Sequence, residues 1–172
     1  MSIELSDNAT HDELLQQAEA LLSVTGDAVA NAASLSALLF HALEDVNWVG
    51  FYFLKGNQLV IGPFQGKPAC VLIPVGKGVC GTAADTLQVQ RIEDVDAFEG
   101  HIACDVESRS EIVVPLVKGG RLLGVLDVDS PCLGRFNVQD PEFIEDVAGW
   151  YLQALTGGRV DSARSRALSC PC

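Results

Sequence analysis

The sequence has no unbroken apolar run of the ~18 residues a membrane-crossing helix requires, so no spanning segment is expected. Its opening stretch, Met1 to Thr10, lacks a basic segment leading into an apolar one, so no secretory signal is expected either. Basic residues are scarce: 11 Lys and Arg stand against 23 Asp and Glu, for a formal charge of −12. A surface of that sign repels phosphate backbones and anionic lipid, so neither nucleic acid nor membrane is an expected partner. Zinc-type C-x-x-C pairs are also missing. Cys70, Cys80 and Cys104 are widely separated and only His101 stands near them, which argues against a metal site. No internal repeat is visible.

What remains is ordinary globular material. Apolar residues make up 48% of the 172 and charged residues 20%, enough to bury a core and to exclude intrinsic disorder. Length and pattern predict a single domain over 1–158, opened by N-terminal helices, and a flexible C-terminal tail over 159–172. The chain reads as cytoplasmic, where stable disulfides are rare. Its six cysteines (Cys70, Cys80, Cys104, Cys132, Cys170 and Cys172) then point to redox or metal chemistry more than to stapling. Small buried hydrophobes are the plain alternative.

The first forty-five residues read as helical. Thr10 and Glu13 have capping-box spacing, and Leu14, Leu15, Ala18, Leu21 and Leu22 share one face of a 3.6-residue period. A second helix follows Gly26, with Leu35, Leu38, Leu39 and Ala42 on its apolar side. The texture then changes to strands. Trp48 to Leu54 and Gln58 to Ile61 flank Lys55-Gly56-Asn57, a hairpin signal, and Ala69 to Val75 reads as a further strand. Glu111 to Val117 and Arg121 to Val128 form a second hairpin across Lys118-Gly119-Gly120. A closing helix is predicted from Asp140 as cap and Pro141 as first helical residue, ending at Gly157-Gly158. The stretch from Asp85 to Ser110 shows no clean period, as lids and binding loops do. Antiparallel hairpins with helices gathered at both chain ends indicate an α+β sheet covered by helices.

Gly76-Lys77-Gly78-Val79-Cys80-Gly81 matches G-x-G-x-x-G, but no parallel strand with an acidic ribose ligand follows, so a dinucleotide site is not supported. The glycines suit a tight backbone turn, beside a small ligand or in a plain loop. Cys104 sits in the irregular segment, where a nucleophile would be accessible. Its neighbours Asp105 and Glu107, however, raise a thiol pKa rather than lower it.

The carboxylates are more telling. A period of two puts Leu123, Val125, Asp127 and Asp129 on one side of their strand, where two acidic groups need a cation or ligand to meet them. With a two-residue Gly119-Gly120 turn, Glu111 falls opposite Val128 on the wrong face. A one-residue slip or bulge would bring it alongside Asp127 and Asp129, and Pro115 is a natural place for one. Such a trio would hold an ammonium group or supply a proton. Trp48 and Tyr52 share a face of the first strand, either as core packing or as the wall of a small apolar pocket with two polar tips.

Taken together, the blocks Asn47 to Tyr52, Gly62 to Lys67, Ala69-Cys70, Ile73 to Gly81, Gly100 to Asp105, Ser110 to Leu116 and Gly124 to Ser130 resemble the free methionine-(R)-sulfoxide reductases, which are single GAF-domain enzymes. The resemblance runs in order from about Leu14 to Leu155. It implies a central antiparallel sheet with helices packed on one side, an enclosed ligand cavity on the other, and a homodimer. It implies reduction of the R epimer of free L-methionine sulfoxide, with Cys104 as catalytic cysteine, Cys70 as its disulfide partner and Cys80 as a third relay thiol. Trp48, Tyr52, Glu111, Asp127 and Asp129 are implied as substrate-binding residues, with a proton donor among the acids. The implied chemistry is thiolate attack on the sulfoxide sulfur, a sulfenic acid on Cys104, condensation with Cys70 and recycling by a dithiol such as thioredoxin, with no metal or organic cofactor. Cys132, Cys170 and Cys172 fall outside the pattern. Two other readings stand beside this one. A GAF module sensing a cyclic nucleotide-like ligand would signal to attached domains, which are not expected here. A thiol redox switch would form disulfides with peroxide but release no methionine from sulfoxide.

Overall fold

A computed structural model describes residues 9–98, 100 and 107–155. The expected tail lies outside the described residues. Helices α1 (His11–Leu22) and α2 (Ala28–Ala42) open the chain. Thr10 and Glu13 close the capping box at α1, and the Asp27 side chain caps α2 by accepting from the Ala30 amide. Strands β1 (Trp48–Lys55), β2 (Gln58–Gly66), β3 (Leu72–Pro74), β4 (Gln90–Ile92), β5 (Ser110–Lys118) and β6 (Arg121–Ser130) pair antiparallel in the order β3-β2-β1-β6-β5-β4. Helix α3 (Gly78–Thr86) stands between β3 and β4, and α4 (Asp140–Ala154) closes the described chain.

Each sheet face has its own core. On one, Leu14, Leu35, Leu39, Phe143, Ile144 and Tyr151 of α1, α2 and α4 bury against Val49, Phe51, Ile112, Val114, Leu126 and Val128. On the other, Val79, Cys80, Ala83 and Ala84 of α3 pack on Trp48, Tyr52, Val113 and Val125. The expectation of helices on one side therefore holds for α1, α2 and α4, and α3 is an addition on the opposite face.

The hairpin of β5 and β6 decides which side chains reach that second face. Gly119 and Gly120 both have positive φ, 57° and 76°, which makes the two-residue turn expected between Lys118 and Arg121. The register then slips by one residue between Leu116 and Val117, next to Pro115: Val117 pairs with Leu122, but Leu116 pairs with Gly124. Leu123 is the extra residue, and it packs against the helical cluster while Leu122 packs against the other. The expected grouping of Leu123 with Val125 thus fails, because the bulge resets the two-residue period. Beyond it, Glu111 faces Asp129 and Val113 faces Asp127. Gly124 permits the close approach of β6 to β1, since a Cβ there would lie 2.0 Å from the Tyr52 carbonyl oxygen.

Three further local differences have plain causes. The strand expected over Ala69 to Val75 is confined to Leu72–Pro74. The stretch after Asp85, read as irregular, holds β4 and a 3-10 turn over Val95–Ala97, elements too short for periodicity to register. At α4 the cap position falls on Gln139. Asp140 turns its buried carboxylate back to the Asn137 amide and Arg135 instead of capping the helix. The helix reaches Ala154, so Gly157-Gly158 lies outside the described residues.

Candidate active site

The second face of the sheet gathers the acidic residues. Trp48, Gly50 and Tyr52 of β1 lie in register with Asp129, Asp127 and Val125 of β6, and β5 sets Glu111 beside Asp129. Glu111 and Asp127 are buried, at 6% and 5% exposure, so both carboxyls have left bulk water. The structure therefore brings Trp48, Tyr52, Glu111, Asp127 and Asp129 onto one patch, as the sequence pattern anticipated for a bulged hairpin.

Helix α3 supplies a sixth group from above. Gly76 and Gly78 have φ of 81° and 63°, Gly76 N–H donates to the Gly81 carbonyl at 2.8 Å, and Lys77 stands at the N-cap. The glycine run is thus a turn that folds the chain from β3 directly into α3. Gly81 has no room for a side chain, since its Cβ would meet the Pro74 carbonyl oxygen at 2.5 Å. This close turn lowers Cys80 onto the acids: its Sγ lies 3.2 Å from Asp127 Oδ2 and 3.9 Å from Glu111 Oε1. The helix was not fully legible, but its signal was present in the 3.6-residue spacing of Val79, Cys80, Ala83 and Ala84.

The electrostatics follow from burial and like charge. Desolvation first, then Asp127 and Asp129, push the Glu111 carboxyl well above its ordinary range. Desolvation lifts Asp127 to about 7, opposed by hydrogen bonds from Cys80, Glu111 and the Val128 amide. The Cys80 thiol is pushed well up by burial and then by Asp127 and Glu111, and burial does the same to the Tyr52 phenol. Among the described residues, the buried Asp127 Oδ1 has no hydrogen-bond partner. Donor atoms of Cys80, Glu111 and Asp127 lie within 4.8 Å of one another, a spacing one ion can bridge. Burial and the adjacent acids favour the protonated thiol, so an ion there would first have to displace that proton. The arrangement is one that shares protons and attracts a cationic ligand group.

The aromatics do more than wall the patch. Trp48 and Tyr52 stack at 5.8 Å, and Phe64 of β2, to which the sequence reading gave no role, stacks on Trp48 at 5.3 Å. Both polar tips hold one loop: Trp48 Nε1 donates to the Lys67 carbonyl at 3.1 Å and Tyr52 Oη to the Cys70 carbonyl at 3.0 Å. Lys67 also forms an exposed ion pair with Glu107, of small energetic weight. Cys70 is disulfide-bonded, while Cys80 and Cys132 are free thiols. Cys104, His101, Cys170 and Cys172 lie outside the described residues.

Comparison with known proteins agrees with this geometry. The GAF domain family matches residues 12–155. The free methionine-R-sulfoxide reductase of Escherichia coli is 55% identical over 130 residues, covering 76% of this chain and 79% of that one. Its namesake in Saccharomyces cerevisiae is 44% identical over 160 residues, covering 85% and 88%. The crystal structure of the Neisseria meningitidis free methionine-R-sulfoxide reductase with its substrate superposes with a TM-score of 0.85 at 40% identity, over 89% of this chain and 95% of that one. The chain belongs to the GAF-domain free methionine-R-sulfoxide reductases.

Proposed function

We propose that this protein reduces free L-methionine-(R)-sulfoxide to methionine through thiol chemistry at Cys104. The observation that carries this reading is the convergence of Glu111, Asp127 and Asp129 with two buried aromatics on one sheet face. An acid trio in register suits a free ammonium group, and Asp127 Oδ1 has no hydrogen-bond partner among the described residues to compete for it. Trp48 and Tyr52 offer the apolar wall for a thioether-sized chain. A carboxyl held protonated beside them is the acid that oxygen transfer needs.

In the proposed reaction the Cys104 thiolate attacks the sulfoxide sulfur while the buried carboxyl protonates the oxygen. The hydroxyl then passes from the substrate sulfur to the Cys104 sulfur; the substrate S–O bond and the transient S–S bond break, methionine leaves, and Cys104 is left as a sulfenic acid. The Cys70 thiol then attacks that sulfur, expels the oxygen as water and forms the disulfide. The two thiols have supplied the two electrons. A low-potential dithiol such as thioredoxin restores both by exchange. The disulfide at Cys70 and the tethering of its loop by Trp48 and Tyr52 support a resolving role there. Selectivity for the free amino acid follows from the acids, because a peptide-bound residue brings an amide where they require a cation.

The test is to mix reduced protein with the R or S epimer of free methionine sulfoxide, without external reductant, and count methionine against disulfide. One methionine per disulfide from the R epimer alone is expected. Disulfide formation without methionine release would overturn the reading in favour of a redox switch.

A further inference from the structure

Cys80 is a free thiol on the first turn of α3, 4% exposed, in a protein whose Cys70 is already disulfide-bonded. Its sulfur lies nearer to Asp127 Oδ2 (3.2 Å) than to Glu111 Oε1 (3.9 Å), so the single hydrogen of the thiol goes to Asp127. We propose that Cys80 is a positioning residue: its S–H holds Asp127 in the ionised form and so leaves the proton shared by the two buried carboxyls on Glu111. This rests on the reductase reading for its consequence, which is to separate an acid (Glu111) from an anion that binds the substrate's ammonium group (Asp127).

The groups around Asp127 account for that division. Asp127 is faced by Cys80 from α3, Glu111 from β5 and Tyr52 from β1, with Asp129 two residues along its own strand. Two carboxyls this close and this buried cannot both ionise readily, so one proton is retained between them. Where it rests depends on the hydrogen bonds each oxygen receives. Asp127 accepts from Cys80, which favours its charge. Glu111 Oε1 lies farther from the same thiol, at 3.9 Å, and its charge gains less from it. A thiol kept protonated by burial and by adjacent acids is a poor nucleophile but a durable donor. This assigns Cys80 work as a thiol, separate from any part in disulfide exchange.

The variants Cys80→Ala and Cys80→Ser separate this role from disulfide relay, since serine keeps a hydrogen to donate but has no redox chemistry. Carboxyl carbons of labelled reduced protein are followed by NMR across pH, alongside the single-turnover rate with free methionine-(R)-sulfoxide. Cys80→Ala is expected to raise the lower midpoint of the Glu111–Asp127 pair by about one pH unit and to move the acid limb of the rate profile with it. Cys80→Ser is expected to return both toward the wild-type position. Wild-type midpoints in Cys80→Ala, or equal displacement in both variants, would overturn the proposal. A shifted midpoint in Cys80→Ala, restored in Cys80→Ser, with no methionine released by the wild type, would instead sink the reductase reading and leave the hydrogen bond in place.

Discussion

The Tyr52 hydroxyl donates to the main-chain carbonyl of Cys70 across 3.0 Å, tying the middle of β1 to the loop that carries a disulfide cysteine. Tyr52→Phe keeps the buried ring and removes only that tie, at a cost of about 1 kcal/mol. The expected result is a fall in melting temperature of about 2–4 °C. Disulfide formation after one turnover should slow about threefold, because Cys70 is no longer held in place. A stopped-flow thiol assay with unchanged disulfide kinetics would remove the positioning role from Tyr52.

The roles proposed for the two cysteines differ in stoichiometry. Cys104→Ser should release no methionine from the R sulfoxide. Cys70→Ser should release one equivalent and then stall without a small-molecule thiol, because the sulfenic acid has no internal partner. Counting methionine per protein distinguishes the two.

Asp127 and Glu111 both bind protons more tightly in the fold than in the unfolded chain. Their contribution to stability is therefore fully present below about pH 4, and that of Asp127 is lost as pH rises through about 7. Thermal melts from pH 5 to 8 should show a falling midpoint. Asp127→Asn, which cannot ionise, should flatten that slope and melt about 5 °C higher than wild type at pH 8. Parallel slopes in the two proteins would show that burial of this charge is not the cause.

If the acid trio holds an ammonium group, neutralising that group should abolish recognition. N-acetyl-methionine-(R)-sulfoxide is expected to lose about a hundredfold or more in kcat/KM against the free amino acid, since a buried carboxylate would be left unpaired. Comparable rates for the two substrates would detach Asp127 and Asp129 from the amino group.

The close approach of β6 to β1 depends on Gly124, whose Cβ would lie 2.0 Å from the Tyr52 carbonyl oxygen. Gly124→Ala must separate β1 from β6 and should cost about 3 kcal/mol. Gly119→Ala, in the turn of the same hairpin at φ 57° with nothing near its Cβ, should cost only the ~1 kcal/mol of a left-handed backbone. Denaturant melts of the pair check the ranking.

Much of this was legible in one dimension. The Thr10–Glu13 box, the Gly119-Gly120 turn and the alternation of Val125, Asp127 and Asp129 are local regularities, set by neighbours a few residues away. Glu111 was legible only conditionally. Its face depends on whether the hairpin carries an extra residue, and Pro115 hinted at where one would fall. The slip lies beside that proline, with Leu123 turned toward the helices. Helix α3 was half hidden, because nine residues rich in glycine and alanine carry little amphipathic contrast.

By itself the sequence determined the hairpins, the capped helices and an acidic strand that calls for a cation, because each of these follows from local backbone preference and periodicity. Only the tertiary structure decided that Glu111 stands beside Asp129, that Cys80 descends from α3 onto Asp127, and that the tips of Trp48 and Tyr52 hold the Cys70 loop. Those contacts join residues up to 47 positions apart, the span from Cys80 to Asp127. Their distances are set by strand register and close backbone packing, which no window of neighbouring residues encodes.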